Sequence, residues 1–479
     1  MRDLSQGNEA RLIVSFSIPL LIGNIFQQLY STVDAMAVGI RIGKEALAAV
    51  GVSGPILFLM ISVIMGITMG GGVVLSQYYG AKDFKRLRAA MHSTYFFLLL
   101  ASVAVTIIGV AFSGPILALI GTPKEYLEPA KTFLTITFLG MFFVFGYNAI
   151  SAVLRSLGDS RTPLYFLILA SVLNIGLVIL FVFGLNWGIA GSAWATVIAQ
   201  GVAFVISLIY VQRSGNKVLR ISLRELRWHK EEMGKVLAMS LPTTLQMGLV
   251  ALSFVALNAM VKGFGTNVMA GFTAAGRLDA FAILPAMNLS MAMTTFVGQN
   301  IGAGRMDRVA RGLRATLLLS GVLSVAISLT FLVFPHQLIG LFENDPEVLR
   351  NGAEYLRIVS PFYILFSGMF VFTGLLRGAG AATFSMVATI VAVWAARVPA
   401  SWVLSQFFGP QGIWWGIPIG WTFGLCMVVA YWASGRWKKL DVIGRKPQLH
   451  VAPTADELAH GCMDGDNVGA EFIGKKLPC

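Results

Sequence analysis

The sequence predicts an all-α integral membrane protein, with twelve transmembrane helices in two six-helix lobes related by a pseudo-two-fold axis along the membrane normal. Three observations carry this. Hydrophobic residues make up 56% of the 479-residue chain and charged residues only 12%, against about 25% charge in ordinary soluble domains. Apolar runs near or above the roughly 20 residues that cross a bilayer recur from end to end. The two halves also repeat each other at a spacing of 222 residues: QYYGAKDFKRLR matches QNIGAGRMDRVA, pairing Gln77 with Gln299, Gly80 with Gly302 and Arg86 with Arg308. The same spacing pairs Gly43 with Gly265, Ala48 with Ala270, Leu154 with Leu376, Arg155 with Arg377 and Gly158 with Gly380. A register this long is a whole-domain duplication, an arrangement common in secondary transporters and unlike a short solenoid repeat.

The first six spans are expected at Leu12–Val38, Ala46–Tyr79, Ala89–Val110, Leu127–Val153, Thr162–Phe183 and Gly188–Val211. The second six are expected at Gly234–Val261, Val268–Ile301, Val309–Phe334, Tyr355–Leu375, Thr383–Leu404 and Ile413–Trp432. Loops after even-numbered spans are basic (81–88, 213–230, 305–314) and the tail opens with RWKK, whereas the loops at 184–188 and 408–412 hold no Lys or Arg. By the positive-inside rule both termini are cytoplasmic, in a multi-pass protein of the cell (inner) membrane. The net charge of +13 is then a topology signal rather than a nucleic-acid footprint.

Residues 1–212 form the expected N-terminal lobe, 213–233 a cytoplasmic linker, 234–435 the C-terminal lobe and 436–479 a polar cytoplasmic tail, with a cavity between the lobes. MRDLSQGNEAR runs straight into a spanning-length segment, so no cleavable signal is expected. Three cysteines (Cys426, Cys462, Cys479) give neither a disulfide framework nor a metal spacing. The five histidines fall at helix ends, loops or the tail, which leaves no catalytic or metal set and points away from an enzyme. No cofactor is expected.

Charged groups at membrane depth are functional candidates by default, since even low estimates of central insertion cost are about 2.5–3.5 kcal/mol each. Asp34 lies in the first span, in NIFQQLYSTVDAMAVG. At 100° per residue Asn24, Gln27, Gln28, Ser31 and Asp34 share one side of that helix, a stripe that must face protein or water. Asp34 is either an interfacial aspartate near the outer end or a protonatable carboxylate inside the lobe. In the eighth span Arg277 and Asp279 are about 200° apart and cannot neutralise each other. Asp279 is expected to pair with Arg397 of the eleventh span, either as a lobe-fixing ion pair or as a substrate contact. Arg277 and Arg397 are the intramembrane cations expected. Pro19, Pro242 and Pro285 fall within spans, where proline removes a backbone hydrogen bond and kinks a helix; Pro285 is expected to interrupt the eighth.

Three blocks, SIPLLIGNIFQQLYSTVDAMAVG, YNAISAVLRSLGDSRTPL and AAGRLDAFAILPAMNLSMAMTTFVGQNIGAG, together resemble the multidrug and toxic compound extrusion (MATE) transporters, closest to their prokaryotic DNA-damage-inducible (DinF-like) branch. The resemblance runs from about Ser15 to Trp432. It implies rocker-switch alternating access and export of cationic or amphiphilic small molecules in exchange for protons or sodium ions. It also implies that Asp34 is the cation-coupling residue and that Pro19 marks the bend of the first helix. The family pattern of Asn followed four residues later by Asp is half present, as Asn174 and Val178. With that carboxylate missing, proton coupling through Asp34 is expected, with Asn24, Gln27, Tyr30, Ser31 and Asn174 as polar contacts of the substrate or coupling site. Sodium coupling is one alternative. A flippase for lipid-linked precursors, which would call for a more cationic cavity, is the other; a channel or a membrane enzyme fits less well. A two-lobed bundle is self-sufficient, so a monomer in the lipid bilayer is expected, with no nucleic-acid partner.

Overall fold

The computed structural model describes residues 2–444 apart from 120, 217 and 223; most of the polar tail, with Cys462 and Cys479, lies outside them. The first half comprises α1 (Glu9–Arg41), α2 (Lys44–Gly80), α3 (Phe84–Leu119), α4 (Lys124–Leu139), α5 (Met141–Ser156), α6 (Arg161–Val178) and α7 (Gly188–Arg213). The second comprises α8 (Lys230–Lys262), α9 (Thr266–Gly302), α10 (Met306–Val333), the short α11 (Pro335–Gly340), α12 (Pro346–Val359), α13 (Tyr363–Gly378), α14 (Ala382–Ile390), α15 (Val398–Phe408) and α16 (Pro410–Ala433). Eleven helical segments are long and apolar enough to cross a membrane, twelve when α4 and α5 count as one span.

That span was expected as one straight helix, yet it bends by 46° between α4 and α5. The break falls at Gly140, where a Cβ would meet Val197 of α7 at 2.4 Å; close packing of α7 and the low helix propensity of glycine coincide there. Two spans carry wider turns: α6 continues as a π-helix over Ile179–Gly184, and a π-helical segment, Val391–Arg397, joins α14 to α15. The expected interruption at Pro285 is not found. Helices α1, α8 and α9 run unbroken through Pro19, Pro242 and Pro285, since losing one backbone donor need not end a helix that tertiary packing supports.

The repeated glycines have separate physical reasons. Gly43 and Gly265 (φ +107° and +100°) and Gly158 and Gly380 (+82° and +100°) occupy the left-handed region that side chains disfavour. Gly80 and Gly302 instead permit contact: a Cβ on Gly80 would meet the Gln299 carbonyl oxygen at 2.0 Å, and one on Gly302 that of Gln77 at 2.0 Å. Here α2 and α9 cross.

Around this crossing the halves exchange equivalent bonds. Gln77 donates to the carbonyl of Gly378 (2.9 Å) and Gln299 to that of Ser156 (2.8 Å). Arg308 pairs with Glu9 (3.1 Å), and Arg86 with Glu231 (3.9 Å). Each partner is related to its counterpart by the 222-residue register, so i binds j′ while i′ binds j, the signature of a two-fold axis. Ser76 and Gly298 are themselves equivalents and face each other, with the Ser76 hydroxyl 2.0 Å from where a Gly298 Cβ would be. The axis passes between them.

The segments before each half dock on the opposite half. Leu4 N–H donates to Gln299 (2.9 Å) and Asn300 to the Leu4 carbonyl (3.2 Å). In the linker, Arg88 of α3 donates to Glu225 (2.6 Å) and Ser222 N–H to His92 (3.1 Å). From this end the cross-half bonds reach as far as Asn24–Asn288 (2.9 Å), midway along α1 and α9. Beyond it the remaining lengths of α1, α2, α8 and α9 carry exposed residues, among them Gln27, Ser31, Phe58, Phe254 and Phe281. Among the described residues the cross-half bonds gather at the end that holds both basic loops and N-terminus, and this end is closed.

Candidate functional site

Asp34 lies ten residues past Asn24, about 15 Å farther along α1, beyond the last cross-half bond. Its side chain reaches α7, where fully buried Ser192 donates to one carboxylate oxygen at 2.7 Å. One turn along α7, Thr196 accepts from the amide of Asn174 on α6 (3.1 Å). Asn174 is 2% exposed, and its side-chain oxygen meets no donor among the described residues. Two hydroxyls at i and i+4 on α7 thus tie α1 and α6 into one polar layer. Tyr30 sits beside Gln27 and within Coulombic reach of Asp34.

An apolar layer adjoins it, made of Ala37, Val178, Phe181, Val182 and Ala195, with Phe181 stacked on Trp187 at 4.7 Å between ring centres. Val178 is completely buried there. The position expected to carry Asp from the resemblance is therefore part of a buried apolar cluster in this chain. Among the described residues no Lys or Arg forms an ion pair with Asp34, so its charge is met by one neutral hydroxyl. Such a carboxylate can take a proton or a cation.

The other expected residues are placed elsewhere. Asn24 bridges the halves through Asn288. Ser31 is exposed. Pro19 is buried near the closed end, fifteen residues from Asp34. In the second half, Asp279 accepts from the hydroxyls of Tyr355 and Tyr363. Arg397 is within Coulombic reach of it, but the expected ion pair is not formed: the two tyrosines take the carboxylate, while Arg397, on the π-helical segment, lies 5.6 Å over the Phe254 ring. Arg277 is exposed over Phe342 at 5.6 Å. The cation inventory is also larger than expected. Arg377 of α13 is 3% exposed and donates to Gln246 (3.2 Å), with Met69 of the other half against it.

Ser192, Thr196, Tyr355, Tyr363 and Arg377 were not singled out from sequence. Ser192 and Thr196 do leave a trace, two hydroxyls one turn apart in an apolar span. Arg377 was visible as a repeat partner of Arg155 but fell just past the expected end of its span.

The MatE family model matches this chain twice, over residues 19–180 and 242–403. The chain belongs to the MATE transporter family. The probable multidrug resistance protein YpnP of Bacillus subtilis (strain 168) is 35% identical over 445 residues, 93% of this chain and 99% of that protein. A second probable multidrug resistance protein of that strain, YoeA, is 32% identical over 435 residues, 89% and 94% of the two chains. Among solved structures, the outward-facing conformation of a multidrug resistance MATE family transporter of the MOP superfamily superposes with a TM-score of 0.85 at 24% identity, covering 91% of this chain and 97% of that one. That likeness shows the shared two-lobed, twelve-span fold. As a MATE protein the chain is a multi-pass membrane transporter and not an enzyme.

Proposed function

We propose that this transporter exports cationic and amphiphilic small molecules in exchange for protons, by rocker-switch alternation of its lobes. The observation that carries the reading is Asp34, a carboxylate without an ion-pair partner among the described residues, beyond the last cross-half bond and tied by Ser192 to the layer that includes Asn174. Its relatives' names as multidrug resistance proteins support drug efflux.

In this reading residues 1–212 and 234–435 move as lobes joined by 213–233, and the chain acts as a monomer. Both termini and the basic loops lie in the cytoplasm in this reading, which the positive-inside rule supports, so the end opposite them faces out of a cell whose inner membrane the chain spans. Protonation of Asp34 repacks α1 near Pro19 and evicts a bound cation outward; the two-fold bonds around Gln77 and Gln299 then break as the lobes rock. Gln27 and Tyr30 line the approach.

Sodium coupling is favoured by one atom, the unmet side-chain oxygen of Asn174, because a cation takes several oxygen ligands. Buried Val178 in the apolar layer supports the proton instead. The test is substrate binding against pH, with uptake into everted vesicles under proton or sodium gradients imposed separately. Wild type loses substrate affinity as Asp34 protonates and runs on the proton gradient; Asp34→Asn folds, loses that pH dependence and fails to export. Proton-driven efflux by Asp34→Asn overturns the reading, and sodium-driven efflux in wild type transfers it to sodium. Transport of a lipid-linked precursor in place of drugs would make the chain a flippase.

A further inference from the structure

At the closed end, on the outer surface between α1 and α6, lies a cavity of about 540 Å³ bordered by Arg11, Ser15, Ile18, Pro19, Arg161 and Tyr165. This is the size range of small-ligand pockets. Arg11 opens the first helical turns of α1 and Arg161 is the first residue of α6, so both guanidiniums sit at the depth where a span leaves the hydrocarbon. Neither side chain has a hydrogen-bond or ion-pair partner among the described residues. A third guanidinium, Arg2, rests on the cavity wall by donating to the Ser15 hydroxyl.

No carboxylate lines the cavity, and those nearby are engaged elsewhere. Asp159 accepts from the Arg161 and Thr162 backbone N–H groups (3.1 and 3.0 Å). Asp3 accepts from Ser5 (2.9 Å), and Glu9 is held by Arg308 and Arg311 (3.1 and 2.9 Å). Toward the membrane the wall turns apolar, with Ile18 49% and Tyr165 64% exposed on its rim. Three guanidiniums without an ion pair among the described residues, above an apolar, tyrosine-edged slot, match a phosphate-bearing headgroup with acyl chains below it.

We propose that this cavity binds one anionic phospholipid of the leaflet on the termini side, its phosphate held by Arg11 and Arg161 with Arg2 alongside. Because Pro19 forms part of the wall, the lipid sits against the proline turn of the helix that carries Asp34.

The test is native mass spectrometry of delipidated full-length protein titrated with phosphatidylglycerol, phosphatidylcholine or inorganic phosphate. Wild type is expected to retain one phosphatidylglycerol at least about ten-fold more strongly than phosphatidylcholine, with inorganic phosphate failing to displace it at equal concentration. Arg11→Gln and Arg161→Gln each weaken that preference and together abolish it, whereas Lys85→Gln, a basic loop residue away from the cavity, leaves it intact. Arg161→Lys keeps most of it, which separates charge recognition from misfolding, and unchanged thermal unfolding of each variant confirms the fold. Equal retention of both lipids, displacement by inorganic phosphate, or full preference in the double variant overturns the proposal.

Discussion

Replacing Gln299 by leucine should open the closed end of the bundle more than replacing Gln77 does. Gln299 is fully buried and serves two backbone groups of the first half, accepting from Leu4 N–H at 2.9 Å and donating to the Ser156 carbonyl at 2.8 Å. Leucine is of similar size and offers neither. Each buried backbone group left unmet costs about 1–3 kcal/mol, so Gln299→Leu removes roughly 2–6 kcal/mol from the closed-end state. Among the described residues Gln77 serves only the Gly378 carbonyl, and Gln77→Leu removes roughly 1–3 kcal/mol. At about 1.4 kcal/mol per tenfold, the population ratio moves by about 5- to 150-fold for Gln77→Leu and by upwards of 30-fold for Gln299→Leu. Spin labels at Lys85 and Asp307, equivalent positions across the axis, report the separation of that end by pulsed electron paramagnetic resonance. A longer distance should gain population in Gln77→Leu and dominate in Gln299→Leu. Unchanged distances together with a lower unfolding temperature would mean that the cost falls on the fold as a whole, which refutes the reasoning.

Three further outcomes are expected. A cysteine at exposed Lys85 or Arg314 should react with an impermeant thiol reagent only from the cytoplasmic side; labelling of intact cells reverses the topology. Ser192→Ala removes the hydroxyl that donates to Asp34, a bond to a charged group worth about 1.5–3 kcal/mol, so the carboxylate takes a proton more readily and apparent affinity for a cation competing for it should drop, by up to about 10- to 150-fold at pH values where the proton wins; equilibrium binding that is unchanged across the acid range excludes Asp34 from the binding site. In the linker, the hydrogen bond from Arg88 holds the Glu225 carboxyl below the usual carboxylate range. This depressed carboxylate stabilises the docked linker above its unfolded pKa of about 4.3, an effect lost as pH falls through the lower folded value. The half-exposed pair is worth under about 1 kcal/mol. Hydrogen exchange of residues 219–229, corrected for intrinsic rate, should therefore rise in acid for wild type and already be raised at neutral pH in Glu225→Gln.

Much of the architecture was legible because lipid is an exacting solvent: spanning length, charge exclusion and basic loops are all written in one dimension. The duplication was equally plain. What escaped notice depended on neighbours. Gly140 reads as one more glycine in an apolar run, and only the approach of Val197 makes it a break. The polar residues of α1 group on one side of a helix by spacing, yet Asn24 meets the other half and Asp34 meets α7, because a helix of 33 residues passes through more than one environment. Asp279 was given an arginine on the strength of charge, although two tyrosine hydroxyls from α12 and α13 reach it instead. Spacing along the chain ranks charged partners and says little about hydroxyls arriving from other helices.

The facing of Ser76 and Gly298 bears on why the two halves are one polypeptide. In a dimer of identical subunits, a residue on the two-fold axis must accommodate its own copy. Two serines would collide in the space that one hydroxyl already fills, and two glycines would leave that space empty, a void that costs packing energy. Fusion of the duplicated gene lifts the constraint, since each copy can then change without its twin. A serine on one side and a glycine on the other is a fit closed to identical subunits and open to two halves that differ, so the contact on the axis is one that divergence of the copies makes possible.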